Sequence, residues 1–110
     1  MITVTPHGHR LFLSGITSAA RQAHLFVDEG ELKGYGYEPL PVEPEQWQDG
    51  MYPQLKWTLI GGKEQDILGY YVTDETGAML WSEPFGEAFT NKQAGGVVTV
   101  NMKLNLLASG

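Results

Sequence analysis

The sequence has no cysteine, which excludes disulfides, thiolate metal sites and cysteine nucleophiles and leaves packing alone to hold the core. Positive charge is scarce: seven basic residues stand against thirteen acidic ones, a formal net charge of −6. A domain with that balance repels a polyanion, so nucleic acid is not an expected partner. No apolar run approaches the roughly 20 residues of a bilayer span, so no membrane is expected either. Met1 to Arg10 lack the charged-then-apolar order of a secretory signal, and none is expected. Uninterrupted stretches are also lacking, because fourteen glycines and six prolines cut the chain into pieces too short for long helices.

What is present suffices for one core. The 110 residues are 42% hydrophobic and 18% charged, which gives one domain over residues 1–110 and no compositional case for disorder. The periodicity is two. Val98, Val100, Met102, Leu104 and Leu106 alternate with Thr99, Asn101, Lys103 and Asn105, so Val97 to Leu107 predicts a strand with one buried face. Leu55, Trp57 and Leu59 alternate with Lys56 and Thr58 in the same way. Ile67 to Phe85 reads as a hairpin: a β-branched and aromatic run to Thr73, a turn at Asp74-Glu75-Thr76-Gly77, and a return strand over Ala78 to Glu83 that Pro84 should end. Leu11 to Leu13 and His24 to Val27 predict shorter strands, and Thr17 to Ala23 a turn of helix. The proline-rich stretch at residues 34–53 predicts an edge strand or extended arm, since proline cannot donate to a sheet ladder. The fold class is therefore all-β: an antiparallel β-sandwich or small barrel of about six to eight short strands, with an N-terminal arm over residues 1–10 and a proline-rich arm over residues 34–53.

Chemical motifs are few. His7-Gly8-His9 places two imidazoles on one side of an extended segment, but a stable metal site needs three or four ligands and the only other histidine is His24. No metal and no cofactor are expected. The carboxylates cluster at Asp28, Glu29 and Glu31, at Glu43 and Glu45, at Glu64 and Asp66, and at Asp74 and Glu75. All neighbour turn residues, so solvated loops are expected rather than a facing catalytic pair. No serine has the glycine-framed elbow of a nucleophile. No catalytic residue is assigned, and the chain is not expected to be an enzyme. The tryptophans Trp47, Trp57 and Trp81 are candidates for stacking on a sugar ring, against the competing roles of core or subunit interface.

One motif carries a family resemblance. Gly69-Tyr70-Tyr71-Val72-Thr73-Asp74, then Gly77, then Leu80-Trp81-Ser82-Glu83 and Phe85 resemble a hairpin of small tailed-bacteriophage virion proteins. The likeness extends over residues 32 to 107, from Leu32, Gly34 and Tyr35 through the strand at Trp57 to the final alternating strand. It implies a structural virion protein, a head decoration or cement protein stabilising the capsid lattice, with a tail- or fibre-associated component as the alternative. The implied partners are the major capsid protein or other virion proteins, the implied state a homotrimer, and the implied location the capsid surface after assembly in the host cytoplasm. On this reading the expected interface residues are His7, His9, Tyr35, Tyr37, Trp47 and Tyr52. Tyr71, Trp81, Val98, Val100, Met102 and Leu104 are expected in the core. A carbohydrate-binding β module is the alternative from another class.

Overall fold

The structure, a computed structural model, describes residues 3–11, 15–48, 50–61, 65–91 and 95–103. Along the chain lie β1 (Thr3–Val4), α1 (Pro6–Leu11), α2 (Ile16–Ala19), β2 (Gln22–Val27), β3 (Gly30–Glu31), β4 (Leu40–Pro41), a 3-10 turn (Pro44–Gln46), β5 (Leu55–Leu59), β6 (Gln65–Thr73), β7 (Met79–Asn91) and β8 (Gly96–Val100). All strand pairs are antiparallel. The larger sheet runs β1-β7-β6-β2-β3, with β4 also on β2, and the smaller sheet is β5-β8. Side chains of both sheets enter one hydrophobic core, as an all-β domain requires.

Alternation decides the small sheet. Leu55, Trp57 and Leu59 are buried while Lys56 and Thr58 are exposed, and Val98 and Val100 are buried while Val97 and Thr99 are exposed. The register pairs Trp57 with Val98 and Thr58 with Val97, so one face enters the core and the other meets solvent. The β6-β7 hairpin turns where its sequence predicts. Gly77 takes a φ of 87°, Asp74 and Ala78 close the loop through the Asp74 N–H, and Asp74 Oδ1 accepts from the N–H groups of Thr76 and Ala78 and the Thr76 hydroxyl. An aspartate folded onto its own turn is what makes this loop a strong local signal.

Several segments differ from their expected form. The return strand does not end at Pro84: β7 continues to Asn91. Pro84 sits opposite Gly69, beside a register shift between Ile67 and Gly69, and at such an irregularity the missing N–H leaves no ladder bond unmade. Residues 1–10 are not extended throughout. β1 pairs with Ser82 and Trp81, and Pro6–Leu11 is helical. Thr5 caps that helix, its Oγ1 accepting the Gly8 N–H at 3.0 Å, with Pro6 in the first helical position where a missing N–H costs nothing. Leu11 therefore ends a helix instead of starting a strand, and residues 12–14 lie outside the described residues. The helix at Thr17 to Ala23 is shorter than expected, giving way to β2 at Gln22. The proline-rich segment contributes an edge strand, β4, pairing with Gln22 and Ala23. Trp81, Val98, Val100 and Met102 are buried. Tyr71 is only half-buried, because it projects from the opposite face of the large sheet; Leu104 lies outside the described residues.

Candidate functional site

The large sheet turns Ala23 and Leu25 into the core and His24 to its other face, where His24 pairs with Tyr71 across β2-β6. The two rings stack with centroids 4.5 Å apart and planes 6° off parallel, which leaves His24 only 8% exposed. Both imidazole nitrogens are used. Nδ1 lies 2.6 Å from Glu31 Oε2, and Nε2 lies 2.9 Å from Thr73 Oγ1. An ionised carboxylate only accepts, so Nδ1 carries a proton, and a neutral ring then accepts the Thr73 hydroxyl at Nε2. The Tyr37 hydroxyl donates to the same Glu31 oxygen at 2.7 Å and accepts the Leu25 N–H at 3.0 Å.

The electrostatics follow from these contacts. Burial works to raise the Glu31 pKa, but the hydrogen bonds from Tyr37 and His24 outweigh it, and the net shift is downward. Burial, then the bond to Glu31, holds the Tyr37 phenol far above its ordinary value. Burial, then the Glu31 charge, raises Tyr71. Glu31 is thus a carboxylate at neutral pH and not the freely solvated loop residue its neighbours suggest. The order Glu31–His24–Thr73 matches the acid–imidazole–hydroxyl relay that activates nucleophiles. Thr73, however, is only 4% exposed, and its hydroxyl is engaged by the imidazole. The relay ties β2, β3 and β6 together.

Beside this network runs an open groove of about 440 Å³, lined among others by Phe26, Asp28, Glu31, Tyr71, Met79 and Ser82. Among the described residues no three His, Asp or Glu side chains group as a metal site requires, and no helix is long and apolar enough to cross a membrane.

A second feature is the outer face of the small sheet. Lys56, Thr58, Ile60, Val97 and Thr99 all project there and are exposed. Ile60 is 67% and Val97 44% exposed; they are diagonal neighbours, since Thr58 pairs with Val97. Among the described residues β5 and β8 pair only with each other. Ile60 rests against Gly36, and its N–H donates to the Tyr35 carbonyl at 2.7 Å. Tyr35 and Gly36 both take left-handed backbone, with φ of 61° and 69°; at Tyr35 that conformation is strained and is held by this contact.

The six expected interface residues fall in four places. Tyr35 lies beside Ile60 at the end of the small sheet. Tyr37 belongs to the His24–Glu31 network. Trp47 packs edge-on against Tyr52 and Trp81, with centroids 5.1 and 5.9 Å apart, and Tyr52 is buried with its hydroxyl accepting the Glu43 N–H. His7 Nε2 lies 2.8 Å from Asp74 Oδ2, fastening α1 to the hairpin turn. His9 lies on α1. Trp57 and Trp81 are buried and have no ring face to offer a sugar. Sequence reasoning missed the His24–Glu31 pair and the exposed face at Ile60 and Val97. The first has no local signal, whereas the second is legible as the outward half of the alternation at residues 55–59 and 97–100. Comparisons with protein-family models, curated proteins and solved structures return no match.

Proposed function

We propose that this chain is a structural protein of a tailed-phage virion: a head decoration or cement protein that self-associates as a homotrimer and binds the major capsid protein or other virion proteins at the capsid surface. The observation that carries the reading is the outer face of the small sheet. Four of its five side chains are β-branched, Ile60 and Val97 are apolar and exposed, and Lys56 is the only charge among the five. Covering either apolar side chain contributes up to about 1.5–3 kcal/mol. A chain of net charge −6 repels its own copies over most of its surface, and among the described residues this face holds no carboxylate to oppose contact. Tyr35, expected at an interface, borders the same patch. The hairpin resemblance supplies the virion assignment.

The test is immunogold microscopy of particles of the phage that encodes the chain, using antibody against the purified protein. Labelling over the head surface is expected. Labelling confined to the tail supports the tail-associated alternative, and intact particles that do not label contradict the proposal. The carbohydrate-binding alternative has lost Trp57 and Trp81 to the core, and no other observation favours it.

A further inference from the structure

We infer that the groove on the large sheet is a receptor for a guanidinium group, an arginine side chain presented by a partner protein. Among the described residues, the groove is lined by two carboxylates, Asp28 and Glu31, and by no lysine or arginine. Asp28 is exposed. Glu31 spends Oε2 on His24 and Tyr37, and its Oε1 makes no hydrogen bond among the described residues. The Glu31 side chain remains 33% accessible, so this oxygen can serve a second donor. Tyr71 contributes a ring already fixed on one side by His24; the rest of that ring lines the groove with Phe26, and Met79, 40% exposed, adds a thioether.

A fixed aromatic wall beside two acceptors suits a planar cation, which stacks and donates in its own plane, better than an ammonium, which donates as a point. Hydrogen bonds from Tyr37 and His24, with the nearby Lys33 charge, favour the ionised form of Glu31 at neutral pH, and Lys33 itself is not among the described lining residues. An inorganic cation is a poorer occupant, because the described residues offer no third carboxylate or imidazole to complete its shell. The groove is on the large sheet and the patch at Ile60 and Val97 is on the small one, so its occupancy is independent of trimer formation and of the virion assignment.

The test uses the full chain, labelled with 15N, titrated with three blocked amino acids: N-acetyl-arginine methylamide, its lysine counterpart, and its citrulline counterpart as the uncharged isostere. Arginine should shift the amide resonances of Asp28, Gly30, Glu31, Tyr71 and Gly77. Citrulline should bind about tenfold more weakly, which corresponds to about 1.4 kcal/mol and to one charge-assisted hydrogen bond. Asp28→Asn, on an exposed turn outside the hydrogen-bonded network, should weaken arginine several-fold with the fold unchanged. Glu31→Gln should weaken it further, judged only on protein whose circular dichroism matches the parent. Equal shifts from arginine and citrulline, shifts that map elsewhere, or no effect of Asp28→Asn would overturn the inference. Lysine binding as tightly as arginine would overturn the guanidinium assignment.

Discussion

Glu31 holds His24 by a 2.6 Å hydrogen bond from the neighbouring strand, and the same carboxylate oxygen takes the Tyr37 hydroxyl. Removing its charge while keeping its shape leaves two partly buried donors with a weaker acceptor. Glu31→Gln should therefore cost about 1–2 kcal/mol of unfolding free energy, read by urea titration near pH 7. A cost near zero would mean that the network adds nothing to stability.

Acid should act through Glu31 and Asp74. Hydrogen bonds from Thr76, then from His7 and the Thr76 and Ala78 N–H groups, depress the Asp74 pKa well below 3.8, and Glu31 is held below 4.5. A carboxyl with a lowered native value adds stability above its unfolded value and loses it as pH falls toward the native one. Stability should drop below about pH 4.5. The gap between parent and Asp74→Asn should be widest at pH 5 and shrink toward pH 2. A gap that does not change with pH would contradict the assignment.

Gly69 is a position that only glycine fills. A Cβ there would collide with the Glu83 carbonyl oxygen and come 2.6 Å from the Phe26 ring, which lies across it from β2. Gly69→Ala should destabilise by about 1–3 kcal/mol through overpacking. Shortening the obstructing ring in Gly69→Ala/Phe26→Leu should recover part of that loss. Thermal melts of the two variants give the comparison.

What could be read from the sequence was local. The Asp74–Gly77 turn carries its own hydrogen bonds, and the alternation at Leu55, Trp57 and Leu59 needs only one buried face, so both appear as expected. Residues whose conformation depends on distant partners did not. β7 passes Pro84 because β6 is there to pair with Phe89, Thr90 and Asn91. The helix at Pro6–Leu11 did have a local signal, a threonine cap followed by proline, but its glycine and its short length hid it. Gly8 sits so close to the Leu80 carbonyl that the helix is set by its packing on β7. The His24–Glu31–Tyr37 cluster unites three ordinary residues through strand pairing alone, and no spacing in one sequence announces it.

Trp57 is buried, and its indole N–H has no hydrogen-bond partner among the described residues. Its worth should therefore lie in packing. Trp57→Ala should cost about 3–5 kcal/mol, whereas Trp57→Phe, which removes the unpartnered donor and keeps an aromatic ring, should cost under about 1.5 kcal/mol. Similar losses for the two variants, measured by urea unfolding, would contradict this packing account.

The outer face of the small sheet bears the central claim, and the mass of the purified protein in solution tests it most directly. Light scattering at several concentrations should give three times the 12.1 kDa chain mass. Val97→Asp and Ile60→Asp, at exposed positions that leave the core intact, should lower it to one chain with unchanged circular dichroism. A parent protein that stays monomeric at every concentration would contradict a preformed trimer, and a trimer indifferent to both substitutions would place its contacts on another surface.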